Sequence, residues 1–174
     1  MAMTAPSIVD FACIAPADLY RLFADVYASA DGMSETLAEK YPSLSAFEAD
    51  LGLLRQLPGA VAVAAAVAQD PVAYAILRPR TPSRLRHTAD LSMGVASRAR
   101  GRGLGAAVLR AALERAAADT ALEIVYLMVR SDNAAAMQLY ARAGFEPLAV
   151  LERDTRVDGR YFDGVLMRRF LRRG

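Results

Sequence analysis

The chain has 174 residues, of which 55% are hydrophobic, and a formal net charge of +2 at pH 7. This length predicts one domain with a buried core, while the nearly balanced charge argues against a nucleic-acid binder, which usually carries a clustered basic excess. No apolar run reaches the roughly eighteen residues of a membrane span, and the first residues lack the pattern of a signal peptide, so we expect a cytoplasmic protein.

A strand and a helix are predicted at the start of the chain. Ser7 to Ile14 is an apolar, strand-like run that contains Cys13, the single cysteine. A lone cysteine in such a run is expected to be buried and unreactive. Pro16 and Asp18 are typical of a first helical turn, and the helix that they open is expected to end at Asp31-Gly32.

A second helix and a hairpin are predicted next. Asp31 to Pro42 is expected to be a solvated connector, and Ser45 with Glu48 has the spacing of a capping box. From Gly59 to Arg80, two apolar runs are separated by Gln69-Asp70-Pro71, which predicts a break between two strands. The valines of the first run alternate, so a strand is favoured over a helix there.

The central part of the sequence contains a strand, a glycine-rich turn and a helix. Asp90 to Ala96 alternates like a strand, and Asp90 is unusual there because acidic residues are disfavoured in strands unless they are exposed or used. The helix is predicted from about Gly103 to Thr120. His87, before the strand, has no second histidine or cysteine nearby, so no metal site is predicted.

The turn between this strand and this helix predicts an anion site. The first N–H groups of a helix have no helical partner and lie at the positive end of its dipole, where phosphate groups commonly bind. Arg98, Arg100 and Arg102 add cations that can pair with phosphate. A plain tight turn with solvated arginines is the alternative.

The glycine spacing also fits a dinucleotide-binding fingerprint, but only in part. Gly101, Gly103 and Ala106 stand at its three positions, and Glu123 follows about twenty residues later. In that fold the first glycine comes directly after the strand, whereas Ala96 to Arg100 intervene here. Glu123 also begins a predicted strand instead of ending one, so the phosphate of another ligand is favoured.

Another strand and helix follow. Ile124 to Val129 predicts a strand, and Asn133 to Ala143 predicts a helix that Gly144 ends as its C′ residue. Asn133 and Tyr140 stand within about 20° of two full helical turns of each other, so they share one face about 10.5 Å apart. Asn133 fits a helix cap equally well, and Tyr140 fits a core aromatic.

The chain is expected to close with a β-hairpin. Phe145 to Val157 and Arg160 to Leu171 are its predicted strands, and Asp158-Gly159 has the composition of a tight two-residue turn.

Two stretches carry a resemblance to a known family. Read from Arg100, the turn has the pattern Arg-x-x-Gly-x-Gly, and from Asn133 the chain reads Asn-x-x-Ala-x-x-Leu-Tyr, followed by Gly-Phe. The first pattern is similar to the coenzyme A signature of the GNAT N-acetyltransferase superfamily, and the second resembles another motif of that family. The resemblance implies a single α/β domain over residues 1–174. Its mixed, mostly antiparallel sheet would be splayed in the middle and flanked by helices, with acetyl-coenzyme A in the opening.

The resemblance also implies roles for individual residues. Backbone groups of Met93, Gly94 and Val95 would bind the pantetheine arm, and Asn133 would touch it. The pyrophosphate would lie on the turn formed by Arg100, Gly101, Arg102, Gly103, Leu104, Gly105 and Ala106. Tyr140 would lie near the sulfur and protonate the departing thiolate, and Asp90 would take a proton from the amine through a water molecule.

The expected reaction is therefore direct acetyl transfer to a primary amine, with a small-molecule acceptor and with neither nucleic acid nor a membrane as partner. Whether the chain forms a homodimer stays an open question. Two other functions also stay open: a coenzyme A-binding sensor or subunit without turnover, and a dinucleotide-binding oxidoreductase.

Overall fold

The computed structural model describes residues 6–30 and 32–172, which form a seven-stranded sheet with helices on both faces. The strands are β1 (Ser7–Asp10), β2 (Val61–Val67), β3 (Asp70–Pro79), β4 (Thr88–Val95), β5 (Ile124–Arg130), β6 (Glu146–Val157) and β7 (Arg160–Phe170). The helices are α1 (Pro16–Ser29), α2 (Leu37–Lys40), α3 (Leu44–Gln56), α4 (Leu104–Asp119) and α5 (Ala134–Arg142). None of the helices in these described ranges is long and apolar enough to cross a membrane.

The strand order is β1-β2-β3-β4-β5-β7-β6, and the pair β4–β5 is the parallel one among antiparallel neighbours. This pair is short, because it joins Thr88–Asp90 to Ile124–Tyr126 and then ends. Beyond it, β4 runs on to Val95 and β5 to Arg130 without pairing to each other. The mixed sheet that is splayed in its middle is therefore confirmed.

Side-chain alternation along β4 shows which helices lie on which face. A Cβ atom at Gly94 would meet Val26 of α1, so this side of the strand faces α1. Its neighbours Met93 and Val95 point to the other face, where both lie within van der Waals reach of a Cβ built on Gly105 of α4. The splayed part of β4 thus lies between α1 on one face and α4 on the other.

Two predictions in the N-terminal third are wrong in detail. The second long helix begins at Leu44, and its N-cap is Ser43, whose hydroxyl accepts from the N–H of Ala46 at 3.1 Å, instead of Ser45. The predicted connector contains the short helix α2, which a capping box between Thr36 and Glu39 opens. Ser45 with Glu48 has the capping-box spacing and Ser43 does not, so the pattern alone selected the wrong serine.

The prediction that Cys13 is buried is also wrong. The strand β1 ends at Asp10, whose carboxylate accepts from the N–H of Ala12 at 2.8 Å and opens a 3₁₀ turn over Phe11–Cys13. Within this turn Phe11 is buried and Cys13 is exposed. The predicted end of α1 at Asp31-Gly32 lies partly outside the described residues, and α1 itself ends at Ser29.

The two predicted hairpins are confirmed, but the break predicted at Gln69-Asp70-Pro71 is displaced, because Asp70 and Pro71 already belong to β3. The turn of the first hairpin is Ala68-Gln69, with positive φ angles of 49° and 69°. The turn of the second is Asp158-Gly159, with φ angles of 47° and 80°. Two successive positive φ angles are typical of the type I′ turn that best fits the twist of a hairpin.

Candidate functional site

The opening between β4 and β5 is the centre of the candidate site. On its β4 side, Leu91 to Val95 pairs with β3 along one edge only. The backbone groups along the other edge are left without a strand partner, and such groups need one from a ligand or water. An extended ligand can add to an edge of this kind through main-chain hydrogen bonds. Met93, Gly94 and Val95 lie along this unpaired edge, and their role in binding a ligand arm stays a prediction.

The glycine-rich turn lies at the mouth of this opening. Gly101 and Gly103 both have a φ angle of 74°, which is accessible to glycine at little cost. A Cβ at either position would face open space, so this side of the turn is free for a ligand to approach. Gly103 is the N-cap of α4 and provides no side-chain cap, which leaves the N–H groups of the first helical turn available for an anion.

The three arginines of the turn differ in their contacts within the protein. Arg98 forms ion pairs with Asp25 and, at 2.8 Å, with Asp70. Arg100 donates to the Ser29 hydroxyl at 2.8 Å, so its guanidinium is directed to the end of α1. Within the described part of the chain, Arg102 is exposed and has no charged partner. Arg102 is thus the arginine of this turn that is best placed to meet a phosphate.

Gly105 brings three elements together at the start of α4. A Cβ on it would lie 3.3 Å from Val95 Cγ2, 3.6 Å from Met93 Cε and 3.6 Å from Leu139 Cδ2. The first turn of α4 therefore packs closely on β4 and α5. The residues on either side of Gly105 differ in burial, since Leu104 is buried in the core and Ala106 is exposed.

Tyr140 lies on α5 with its ring partly buried against the core. It packs edge-on against Phe145, with ring centroids 5.8 Å apart. Burial raises the pKa of the Tyr140 phenol to about 12. The helix α5 ends in a Schellman motif, in which the N–H of Gly144 donates to the carbonyl of Ala141 and the N–H of Phe145 donates to the carbonyl of Tyr140. Gly144 is therefore the C′ residue, as predicted.

Asn133 is the N-cap of α5. Its side-chain oxygen accepts from the N–H of Ala136 at 3.1 Å, so the cap interpretation is confirmed for this atom. The amide nitrogen is directed to the loop after α1, where a Cβ at Gly32 would lie 3.7 Å from it. A ligand contact of Asn133 would therefore involve the nitrogen, which donates, and this role stays a prediction.

Asp90 is the last residue of β4 that pairs with β5, so it lies where the opening begins. Both of its carboxylate oxygens are occupied by Arg80, with Nη2–Oδ1 at 2.6 Å and Nε–Oδ2 at 3.0 Å. The Arg80 guanidinium in turn lies over the ring of Tyr126, 4.7 Å from its centroid. The Asp90 side chain is 56% exposed. Its predicted role as a base stays a prediction.

Sequence reasoning missed Tyr74, the largest fully buried side chain of the described residues. It stands on β3 opposite Gly94 of β4, and its ring stacks on Phe23 with centroids 4.1 Å apart. Its hydroxyl has no hydrogen-bond partner among the described residues. A single aromatic residue in an Ala/Val hairpin was the available signal, but its pairing with a glycine of the splayed strand depends on the register of the sheet.

A cavity of about 750 Å³ lies between α4 and α5 and adjoins the glycine-rich turn at Ala106. Arg110, Arg142 and Arg169 are among its lining residues, together with Glu114. The cavity offers space and positive charge beside the anion site. Nowhere in the described ranges are three or more histidine, cysteine, aspartate or glutamate side chains arranged to hold a metal ion.

Comparisons with known proteins agree with this geometry. The model of the acetyltransferase (GNAT) family matches residues 18–145. L-amino acid N-acetyltransferase AaaT of Escherichia coli (strain K12) is 26% identical over 150 residues, which cover 86% of this chain and 91% of AaaT. A GNAT-family acetyltransferase from Streptococcus pneumoniae superposes with a TM-score of 0.87 at 24% identity, covering 95% of this chain and 99% of that chain. A phosphinothricin acetyltransferase from Sinorhizobium meliloti, solved in complex with AcCoA, gives a TM-score of 0.81 at 21% identity, covering 95% of this chain and 88% of that chain.

Proposed function

The chain belongs to the acetyltransferase (GNAT) family, and from this premise we propose that it transfers the acetyl group of acetyl-coenzyme A to a primary amine of a small molecule. The observation that carries the proposal is the opening between β4 and β5, with an uncapped helix N-terminus and two positive-φ glycines at its mouth. The proposal takes residues 1–174 as one domain of this family, with no role for nucleic acid or a membrane.

We place acetyl-coenzyme A with its pyrophosphate on the glycine-rich turn and its pantetheine arm in the opening. We assign its pyrophosphate to the N–H groups of Leu104, Gly105 and Ala106, with Arg102 as the paired cation. The backbone edge of Met93 to Val95 would hold the pantetheine arm as an added strand. The side-chain nitrogen of Asn133 would donate to the same arm.

In the reaction, the amine nitrogen attacks the thioester carbonyl carbon, a C–N bond forms, the C–S bond breaks, the coenzyme leaves as a thiolate, and the nitrogen releases a proton to water to give the amide. An alkyl ammonium with a pKa of about 10.4 must first lose a proton at neutral pH. We assign this step to water linked to Asp90, whose two oxygens each accept one hydrogen bond from Arg80 and keep a lone pair for the water.

Tyr140 is assigned to the departing thiolate, and its pKa limits what it can do there. The phenol has a pKa of about 12, whereas a thiol has one of about 8.5. Complete proton transfer from this phenol to a thiolate would therefore be uphill by about 5 kcal/mol. A hydrogen bond donated by the phenol to the developing charge has no such penalty, so we assign Tyr140 this role, with the final proton coming from water.

The acceptor class is tested with the purified protein, acetyl-coenzyme A and a panel of amines, by following free thiol and identifying products by mass spectrometry. Because AaaT is named an L-amino acid N-acetyltransferase, L-amino acids stand first in the panel, followed by polyamines, aminoglycoside-type amines and peptide N-termini. Binding without any product would favour the sensor function. Stabilisation by NAD but not by acetyl-coenzyme A would favour the oxidoreductase.

The cofactor site is tested by Gly103→Asp, with Gly103→Asn as the matched control. Asn and Asp tolerate a positive φ angle similarly, so the pair differs mainly by one negative charge placed where the phosphate would approach. At 100 times its dissociation constant, acetyl-coenzyme A should stabilise the wild-type fold by about 2.7 kcal/mol. We expect Gly103→Asn to retain most of this stabilisation and Gly103→Asp to lose it. A folded Gly103→Asp variant that keeps the full effect would contradict the site.

A further inference from the structure

The α1 face of β5 carries an exposed side chain beside the opening. Asp90 lies four positions before Gly94 on β4, so it shares the face that Gly94 turns toward α1. Asp90 pairs with Tyr126, and Met128 follows Tyr126 by two positions, so both β5 residues lie on this face as well. Met128 stands beyond the last pair with β4 and is 44% exposed.

Met128 lies at the depth where the reaction would take place. The parallel pair of Asp90 with Tyr126 puts Met128 level with Ser92 along the strand direction. A ligand arm that enters from the glycine-rich turn and is held by the edge of Met93 to Val95 would end at this level. The acetyl group of the proposed donor would therefore lie next to Met128. The acceptor would approach it from the α1 face, because α4 lies against the other face.

The carboxylate of Asp154 lies beside Met128 on the same face. A Cβ atom built on Gly164 of β7 would lie 2.6 Å from Asp154 Oδ2 and 2.9 Å from Met128 Sδ. The carboxylate oxygen and the sulfur are therefore neighbours. Because Gly164 has no side chain, it provides the space that the carboxylate occupies, and a larger residue there would displace it.

A bulge in β6 directs Asp154 to this place. The register of β6 and β7 shifts between Leu151 and Thr155, so three residues of β6 stand opposite one residue of β7. Within the bulge Arg153 has a φ angle of 55°, which is uncommon for a residue other than glycine, and its N–H donates to Asp163 Oδ1 at 2.8 Å. Bulges are frequent next to active sites, where they re-aim a side chain.

The Asp154 carboxylate is left without a cation. Asp154 is exposed, and within residues 6–30 and 32–172 its carboxylate forms neither an ion pair nor a hydrogen bond. Two arginines that sequence and register bring near it have other contacts, since Arg153 lies over the Tyr161 ring and Arg130 donates to Asp132. An ionised carboxylate only accepts hydrogen bonds, so its complement is a cationic donor.

We propose that Asp154 accepts a hydrogen bond from the ammonium group of the acceptor and holds its nitrogen beside the thioester. This inference rests on the proposed function. An alkyl amine with a pKa of about 10.4 arrives as a cation at neutral pH. Once one proton has passed to the water linked to Asp90, a second N–H keeps the bond to Asp154 while the lone pair attacks the carbonyl carbon. The chain of the amine lies on Met128, so the acceptor class is a cationic amine with an aliphatic substituent.

The test is Asp154→Asn, with Asp158→Asn as the matched control, because it removes the same charge from the exposed turn of the same hairpin. For Asp154→Asn we expect the acceptor KM to rise about 10- to 100-fold, as for loss of a hydrogen bond to a charged group, and the KM for acetyl-coenzyme A to stay unchanged. Asp158→Asn should leave both values unchanged. Gly164→Ala keeps every charge but displaces the carboxylate, so it should also raise the acceptor KM. An unchanged acceptor KM in Asp154→Asn, or the same rise in Asp158→Asn, overturns the proposal.

A second measurement does not depend on turnover. With free coenzyme A bound no acetyl group is present, so hexylamine can be titrated and followed by the ¹³C resonance of the Met128 methyl group, which its loss in Met128→Leu identifies. We expect hexylamine to shift this resonance at a lower concentration than hexan-1-ol does, and Asp154→Asn to remove the difference. If this occurs in a protein that acetylates no amine, the Asp154 contact is supported and the proposed function fails. If transfer is observed and the preference for hexylamine persists in Asp154→Asn, the proposed function is supported and the Asp154 contact fails.

Discussion

Replacing Gly94 by alanine tests the packing that underlies the site. The added methyl group would lie 2.5 Å from Val26 Cγ1 and 2.9 Å from Tyr74 Cε1. Non-bonded carbons rest at about 3.5–4.0 Å, so the methyl group overlaps two side chains by roughly an ångström. Val26 is 1% and Tyr74 0% exposed, so neither can swing into solvent. Overpacking of this kind costs about 1–3 kcal/mol, and two displaced neighbours place the expected loss at roughly 2–3 kcal/mol.

For a chain of this length, 1 kcal/mol corresponds to about 2–4 °C, so the melting temperature should fall by roughly 4–12 °C. Circular dichroism without ligand measures this fall, and urea unfolding gives the free energy. Combining Gly94→Ala with Val26→Ala removes the closer overlap, so the double variant should be more stable than the sum of the single changes by about 1–2 kcal/mol. The steric explanation is refuted if Gly94→Ala melts within a degree of the wild type, or if the two changes simply add.

Three further predictions concern ionisable groups. Tyr140→Phe should lower kcat by about 10²-fold with little change in the KM for acetyl-coenzyme A. This is the low end for general-acid-type donors, because the pKa of the phenol is about 12. Steady-state kinetics in which the variant retains more than about a third of wild-type turnover would exclude the role. Asp90→Asn should slow acetylation most at low pH, and the loss should shrink as the pH rises toward the pKa of the amine. A pH–rate profile with the same loss at every pH would instead make Asp90 a structural partner of Arg80. Burial raises the pKa of Tyr140 above its ordinary value of 10.0 to about 12, so its contribution to stability is complete below pH 10 and is lost as the pH rises toward 12, because the unfolded chain then binds fewer protons than the folded one. Urea unfolding from pH 8 to pH 11 should show a smaller alkaline loss in Tyr140→Phe than in the wild type, and equal losses would contradict this cause.

Features set by a few neighbouring residues could be predicted from the sequence. The end of α5 at Gly144 and the turn at Asp158-Gly159 were predicted because glycine and aspartate adopt the positive φ angles that these positions require at comparatively low cost. The glycine-rich turn was located for the same reason. Ser43 was missed as the cap because Ser45 with Glu48 has the capping-box spacing, whereas the third residue after Ser43 is Ala46. The extended backbone that an N-cap requires belongs to Ser43.

Features that depend on distant partners could not be predicted. Arg98 and Arg100 contact Asp25 and Ser29 of α1, more than seventy positions earlier in the chain, and the local pattern of the turn does not predict these contacts. The ion pair of Asp90 with Arg80 depends on the pairing of β3 with β4. The space that Gly94 leaves for Tyr74 depends on the same register. Local pattern placed the backbone of the candidate site, and tertiary packing selected its side chains.

The strands β4 and β5 are joined by three residue pairs, and this short junction separates the sheet into two parts. Helix α4 packs on β2, β3 and β4, so it belongs to the first half, whereas β5, β6 and β7 form the second. Local opening in proteins follows such cooperative units, and its free energy ranges from near zero to that of global unfolding. In hydrogen exchange, the free protein should therefore show two protection classes that meet at this junction. A ligand that spans the opening would merge them into one, and the molecule would then open as a single cooperative unit.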